Sequence, residues 1–173
     1  MARRAAAEAD YAAVFDADGL NALSGFEWKA PRGVLRVLTP HPGEMSRLCG
    51  KSIKEVQADR LGTAGQYASA HDAVVVLKGH RTITALPDGR AWVNPTGSPA
   101  LAKGGTGDIL TGLVSGMVAQ FPSDAPAAVV AAVYLHGLAG QFAARDLTEK
   151  CVLATDLLHY LPEAIRACAA VSQ

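Results

Sequence analysis

Residues 73–77 read Ala-Val-Val-Val-Leu, an apolar run with no polar position in it. Strands of that kind are found in parallel sheets buried on both faces. Two other stretches fit the same sheet. Residues 13–16 read as a short buried strand with Asp16 and Asp18 at its C-terminal end, and residues 34–38 as a second, cut off by Pro40. Between the second and third strands, Ser52 and Glu55 have the spacing of a capping box. They predict a helix whose apolar positions include Ile53, Val56 and Leu61. Residues 82–86 and 91–94 flank Pro87-Asp88-Gly89-Arg90 and predict a hairpin. From Gly107 onward the pattern is helical. Pro126 opens an alanine-rich helix to about Arg145, and a last helix runs near 156–170, interrupted or restarted at Pro162. The expectation is an α/β fold over residues 1–173 as a single domain, with a mostly parallel sheet flanked by helices. Ligands of such a sheet bind at the C-terminal ends of its parallel strands.

Composition narrows the function classes. The chain has 173 residues, half of them hydrophobic and 18% charged, with a formal net charge of zero. That suits a compact soluble protein with a sizeable core and argues against a nucleic-acid partner, which would leave a basic surplus. Cys49, Cys151 and Cys168 are odd in number and widely spaced, so they fit a reducing, cytoplasmic setting and read as structural. The opening Met1-Ala2-Arg3-Arg4 has the look of a transit peptide, but Glu8 and Asp10 follow at once. Residues 125–144 are uncharged and about long enough to cross a bilayer. They are mostly alanine and glycine, though, and carry Pro126, His136 and Gln141, so a buried core helix is expected and no membrane span.

The chemistry is concentrated in Lys103-Gly104-Gly105-Thr106-Gly107-Asp108. Behind it, Ile109, Leu110, Leu113, Val114, Met117 and Val118 fall on one side of a helix. A glycine loop feeding a helix N-terminus is an anion site, because unpaired amides and the helix dipole point the same way. Asp108 at that end is placed to accept a proton from a hydroxyl attacking a phosphoryl group. The same pattern also serves as a plain helix cap. No Gly-Lys-Ser/Thr closes it as a Walker loop would, and Leu110 stands where a dinucleotide fingerprint needs its third glycine.

Further polar residues follow the other strands. Pro40 and Pro42 stiffen the loop that presents His41 and Glu44. Lys78, Gly79, His80, Arg81 and Thr82 follow the third strand, where basic side chains can meet phosphates. His41 has a plainer alternative, a histidine fixed between prolines to satisfy a loop carbonyl, and Glu44 another, the cap of a helix toward Cys49. His136, on an apolar helix, reads as a satisfied core histidine.

Taken in order, Asp16-Ala17-Asp18-Gly19-Leu20-Asn21, Thr39-Pro40-His41-Pro42-Gly43-Glu44, Val75-Val76-Leu77-Lys78-Gly79, Asn94-Pro95-Thr96-Gly97 and the glycine segment ending at Asp108 resemble the ADP-dependent NAD(P)H-hydrate dehydratases, members of the ribokinase-like superfamily. The resemblance runs from about Val14 to Pro162. It implies dehydration of NADHX or NADPHX back to NADH or NADPH, with ADP (or ATP) and Mg²⁺, through phosphorylation of the hydrate hydroxyl and loss of phosphate. It also implies the residue roles: Asp108 as base and substrate contact and His41 as substrate contact. Lys78, Gly79, His80, Arg81, Thr82 and Gly107 would bind the adenine nucleotide, and Gly105 and Thr106 would form an anion hole. Glu44 would hold Mg²⁺ through water. The loop departs from the family's commoner form at Ser98 and Lys103. Family domains begin well upstream of Val14, so an N-terminally truncated domain is expected, completed by a missing N-terminal half or by self-association as a homo-oligomer. A ribokinase-like vitamin-precursor kinase and a non-catalytic nucleotide-binding fragment remain the alternatives.

Overall fold

The computed structural model describes residues 1–170. They fall into two compact units, Met1–Val93 and the part from Asn94 on.

The first unit is built on a five-stranded sheet. Helix α1 (Ala2–Glu8) precedes strand β1 (Ala13–Phe15), helix α2 (Asp18–Leu23) and strand β2 (Arg36–Leu38). Helices α3 (Pro42–Cys49), α4 (Ile53–Ala58) and α5 (Arg60–His71) then lead to β3 (Val74–Leu77), β4 (Ile83–Ala85) and β5 (Ala91–Val93). The strand order is β1-β2-β3-β4-β5. The first three strands are parallel, with Phe15 opposite Leu38 and Leu38 opposite Val75. The hairpin strands continue the sheet antiparallel, Leu77 opposite Ile83 and Ile83 opposite Val93. The sheet is therefore mixed, parallel only across its first three strands. All four residues of β3 are buried, as its composition demands.

Local chemistry accounts for the departures from the sequence reading. Strand β2 starts at Arg36 because the Val34 amide closes a turn onto the Pro31 carbonyl. The capping box at Ser52 and Glu55 is present, but the helix it starts ends at Ala58. Asp59 then accepts a hydrogen bond from the Gly62 amide at 2.9 Å and begins α5. Of the three apolar positions assigned to one helix, Val56 is buried, whereas Ile53 and Leu61 are exposed. Helix α1 was not anticipated. Its anchor is Arg36, fully buried, whose guanidinium donates to the carbonyls of Ala6 (2.9 Å), Ala9 (2.5 Å) and Tyr11 (2.8 Å). A cation at a helix C-terminus also meets the favourable end of its dipole. Burial pulls the Arg36 pKa below the ordinary arginine value.

The second unit is helical: a 3₁₀ turn (Pro99–Leu101), α6 (Thr106–Gln120), another short turn (Pro122–Asp124), α7 (Ala125–Cys151) and α8 (Asp156–Ala170). Leu110, Val114 and Val118 of α6 are buried, while Ile109, Leu113 and Met117 pack on Leu135, Ala139, Leu157 and Ala164. The apolar face expected for this helix is the one that packs. Pro122–Cys151 is long and apolar enough to cross a bilayer, yet more than half of its most apolar window is buried inside the protein. Helix α7 runs a little past Arg145 to a kink at Thr148, whose φ of 65° is not helical, and a short helical stretch follows to Cys151. Helix α8 continues through Pro162 instead of stopping there. The carbonyl that loses its partner belongs to Leu158, which is exposed, so water can take it.

His71 closes α5 against the loop before β2. Its ring stacks on Trp28 at 4.8 Å and meets Tyr67 at 4.1 Å, and its Nδ1 lies 2.7 Å from the Trp28 carbonyl. Burial lowers the His71 pKa, and the hydrogen bond to that carbonyl only partly offsets it. The unfolded chain therefore binds a proton that the folded chain refuses. This contribution to stability is complete above the ordinary histidine value of about 6.5 and is lost as pH falls toward the folded value. Thermal melts between about pH 7.5 and pH 5.5 should show a Tm that falls with pH, and a shallower slope in His71→Phe.

Candidate active site

Three strand ends converge in the first unit. The Thr39 amide and hydroxyl both donate to the Phe15 carbonyl (3.1 and 3.2 Å), and the Lys78 amide donates to the Pro40 carbonyl at 2.8 Å. The residues after β1, β2 and β3 are thereby held side by side. Their side chains form one charged cluster: the Lys78 ammonium lies 2.8 Å from Asp16 and 3.7 Å from Glu44. Ala17, next to Asp16, has φ of 47°, a backbone conformation that non-glycine residues rarely adopt.

His41 and Glu44 cap α3 reciprocally. The His41 Nδ1 accepts from the amides of Gly43 (2.9 Å) and Glu44 (3.3 Å), while the His41 amide donates to Glu44 Oε2 at 2.7 Å. Because Nδ1 accepts, the proton of the neutral ring sits on Nε2, which faces Glu44 Oε1 at 3.5 Å. Histidine here does what serine or aspartate does at most helix starts. The cap proposed from the sequence for Glu44 is therefore present. Both of its oxygens are engaged, and the residue is buried. Among the described residues no group of three or more His, Cys, Asp and Glu is arranged to hold a metal ion. That donor set fits Mg²⁺ only as a hydrated ion carried by phosphates, the usual state of this cation at nucleotide sites.

The segment after β3 is irregular. Lys78 turns its ammonium toward the two carboxylates and not outward, because Asp16 stands within hydrogen-bond reach. Gly79 (φ 141°) and Arg81 (φ 53°) both adopt positive φ, and Gly79, His80 and Arg81 are exposed. The Thr82 hydroxyl closes the segment onto the Gly79 carbonyl at 3.1 Å.

In the second unit the glycine segment ends in a bare helix start. Gly105, with φ of 89°, is the N-cap of α6 and offers no side chain to it. The amides of Thr106, Gly107 and Asp108 therefore lack intrahelical partners. Asp108 is exposed in that first turn, where the helix dipole suits an anionic side chain. The Thr106 hydroxyl is already spent on the carbonyls of Leu101 (2.7 Å) and Lys103 (2.9 Å), which leaves its amide as the group available to an anion. His136 is the buried, satisfied histidine expected: its Nε2 lies 2.9 Å from the Thr106 carbonyl, so this nitrogen carries the proton.

Two cations, one in each unit, escaped the sequence reading as structural supports of the candidate residues. Lys103 donates to the carbonyls of Glu149, Lys150 and Val152 at 3.0, 2.9 and 2.7 Å, tying the glycine segment to the end of α7. Its departure from the commoner family residue was visible, but its target lies 46 or more residues away. Arg60 meets the carbonyls after β3 and carried no signal beyond its place at a helix start.

A model of the NAD(P)H-hydrate dehydratase family matches residues 2–163. The chain belongs to that family. It is 47% identical over 156 residues to a bifunctional NAD(P)H-hydrate repair enzyme of Moorella thermoacetica, covering 89% of this chain and 29% of that one. It is 45% identical over 126 residues to the ADP-dependent (S)-NAD(P)H-hydrate dehydratase of Bacillus subtilis, covering 73% of this chain and 45% of that enzyme. The Bacillus subtilis ADP/ATP-dependent dehydratase co-crystallized with ATP/Mg²⁺ superposes with a TM-score of 0.83 at 41% identity, over 92% of this chain and 56% of that one. A ribokinase-like superfamily protein of Enterococcus faecalis superposes with a TM-score of 0.75 at 31% identity. The fold is thus ribokinase-like, and the chain spans less than two thirds of the length of each of these relatives.

The reciprocal cap makes a direct prediction. Replacing His41 by Ala should cost about 1 kcal/mol in urea unfolding, whereas His41→Asn, which keeps a capping acceptor, should stay close to the wild type.

Proposed function

We propose that this chain carries the nucleotide-binding and catalytic portion of an ADP-dependent NAD(P)H-hydrate dehydratase, acting on NADHX and NADPHX. The observation that carries the reading is the start of α6, where Gly105 gives no cap and Asp108 stands in the first turn. Membership of the family supports the substrate class.

In this reading the hydroxyl of the hydrate attacks the terminal phosphoryl group of ADP. A new O–P bond forms, the bond to AMP breaks, and Asp108 takes the hydroxyl proton. The amides of Gly105, Thr106 and Gly107 meet the charge that spreads over the transferring oxygens. Phosphate then leaves with its C–O bond electrons, and the ring loses a proton, restoring NADH. The sum is NADHX plus ADP giving NADH, AMP and phosphate. Phosphoryl transfer asks chiefly for positioning and charge neutralisation, so a base and a set of fixed donors suffice for the protein's share. His41 contacts the substrate through its ring, whose orientation the helix cap fixes. Gly79, His80, Arg81 and Thr82 bind the adenine nucleotide chiefly through their backbone, and Lys78, whose ammonium is held by Asp16 and Glu44 and whose amide donates to Pro40, anchors the start of that segment. Mg²⁺, when bound with the nucleotide, supplies positive charge to its phosphates. Glu44 is the acid that could reach it through water.

The test is recovery of NADH absorbance from NADHX with ADP and Mg²⁺, with AMP and phosphate quantified. Asp108→Asn should lower the turnover rate by about 10²–10⁴-fold and leave ADP affinity near the wild-type value. A stable phosphorylated alcohol in place of NADH would convert the reading to a kinase of the same fold.

A further inference from the structure

Arg60 opens α5, and its guanidinium collects the carbonyls of the segment after β3. Nη2 donates to Leu77 (3.0 Å) and Lys78 (3.3 Å), and Nη1 to His80 (2.5 Å) and Arg81 (3.5 Å). Burial lowers its pKa, and its Nε is buried with no partner among the described residues. Among the described residues the guanidinium meets backbone oxygens and no carboxylate.

A trans peptide points its N–H opposite to its C=O. The first peptide of the segment follows this rule: the Leu77 carbonyl meets Arg60 while the Lys78 amide donates to Pro40 on the other side. The next peptides whose carbonyls turn to Arg60 are those after Lys78 and His80. Their amides, Gly79 N–H and Arg81 N–H, must therefore face away from the guanidinium, on exposed residues. The chain accepts this only by adopting positive φ at Gly79 and Arg81. At Gly79 the fit is close as well, for a Cβ there would come within 3.0 Å of Arg60 Nη2.

We propose that Arg60 is a positioning residue for the adenine nucleotide, holding the carbonyls of Leu77, Lys78, His80 and Arg81 so that the Gly79 and Arg81 amides are presented as donors to ADP. The inference rests on the nucleotide role given above to this segment. Arg60 itself touches no ligand. It acts by removing the loop's acceptors from the face that an anionic, acceptor-rich ligand would approach, and by paying in advance the order that binding would otherwise require.

The experiment uses ADP binding by calorimetry together with hydrogen exchange on the 173-residue chain. Arg60→Met should weaken ADP binding by about tenfold or more and speed exchange of the amides of residues 79–82, with the protection of β3 unchanged. Methylguanidinium added to Arg60→Gly should restore part of the affinity. Gly79→Ala, which keeps Arg60 but forces its guanidinium to move, should reproduce the loss of affinity. Unchanged ADP affinity in Arg60→Met, or an affinity loss accompanied by lost protection throughout the first unit and no rescue, would overturn the inference alone. Failure of the wild-type chain to bind ADP would overturn it together with the functional reading it rests on.

Discussion

A single ammonium sets the geometry at the ends of the parallel strands. Lys78 follows β3, Asp16 follows β1, and Glu44 sits in the first turn after β2, so their contacts link three consecutive strands at one edge of the sheet. The three side chains are mostly withdrawn from water, with 20%, 12% and 7% of their surface exposed. At that depth desolvation offsets much of the Coulombic gain, and such clusters add little net stability over an apolar substitute. Their consequence is positional. The Glu44 carboxylate that receives Lys78 also receives the His41 amide, so the charge cluster and the helix cap are one connected set of bonds.

Cations spent on backbone carbonyls recur through the molecule. Arg36 satisfies the end of α1, Arg60 the segment after β3, and Lys103 the end of α7. In each case an irregular or terminal stretch has oxygens that no ladder or helix can pair, and an unpaired buried carbonyl costs about 1–3 kcal/mol. A flexible cationic side chain reaches several such oxygens at once, where a neutral donor would reach one.

The legible parts of the chain were those whose signal is local. Buried strands show in uninterrupted β-branched runs, the hairpin in Pro-Asp-Gly, the helix at Ser52 in its reciprocal cap, and the packing face of α6 in its spacing. Motif order then pointed to the family. What escaped was set by partners distant in sequence. Helix α1 depends on Arg36, thirty residues from the Ala6 carbonyl it meets. Nothing local distinguishes Arg36 from a solvent-exposed arginine, since its surroundings are apolar in either case. The break at Asp59 was written locally, as an aspartate three residues before an amide it can cap, but it competes with a continuous helical pattern across it.

His41 shows how a residue can be legible for one reason and present for two. Its place between prolines marks it as fixed, and fixation by Nδ1 leaves a single tautomer for the neutral ring, with Nε2–H directed at Glu44. A ring held this way can present only a donor at its outer nitrogen, never an acceptor, unless the cap is given up. Any substrate atom that meets Nε2 must therefore be an acceptor, such as a hydroxyl or phosphate oxygen, and must share the proton with Glu44. The capping geometry thus restricts the chemistry open to His41 to orientation and hydrogen-bond donation. Proton abstraction from a hydroxyl falls to a carboxylate placed elsewhere, the role that Asp108 takes in the proposed reaction.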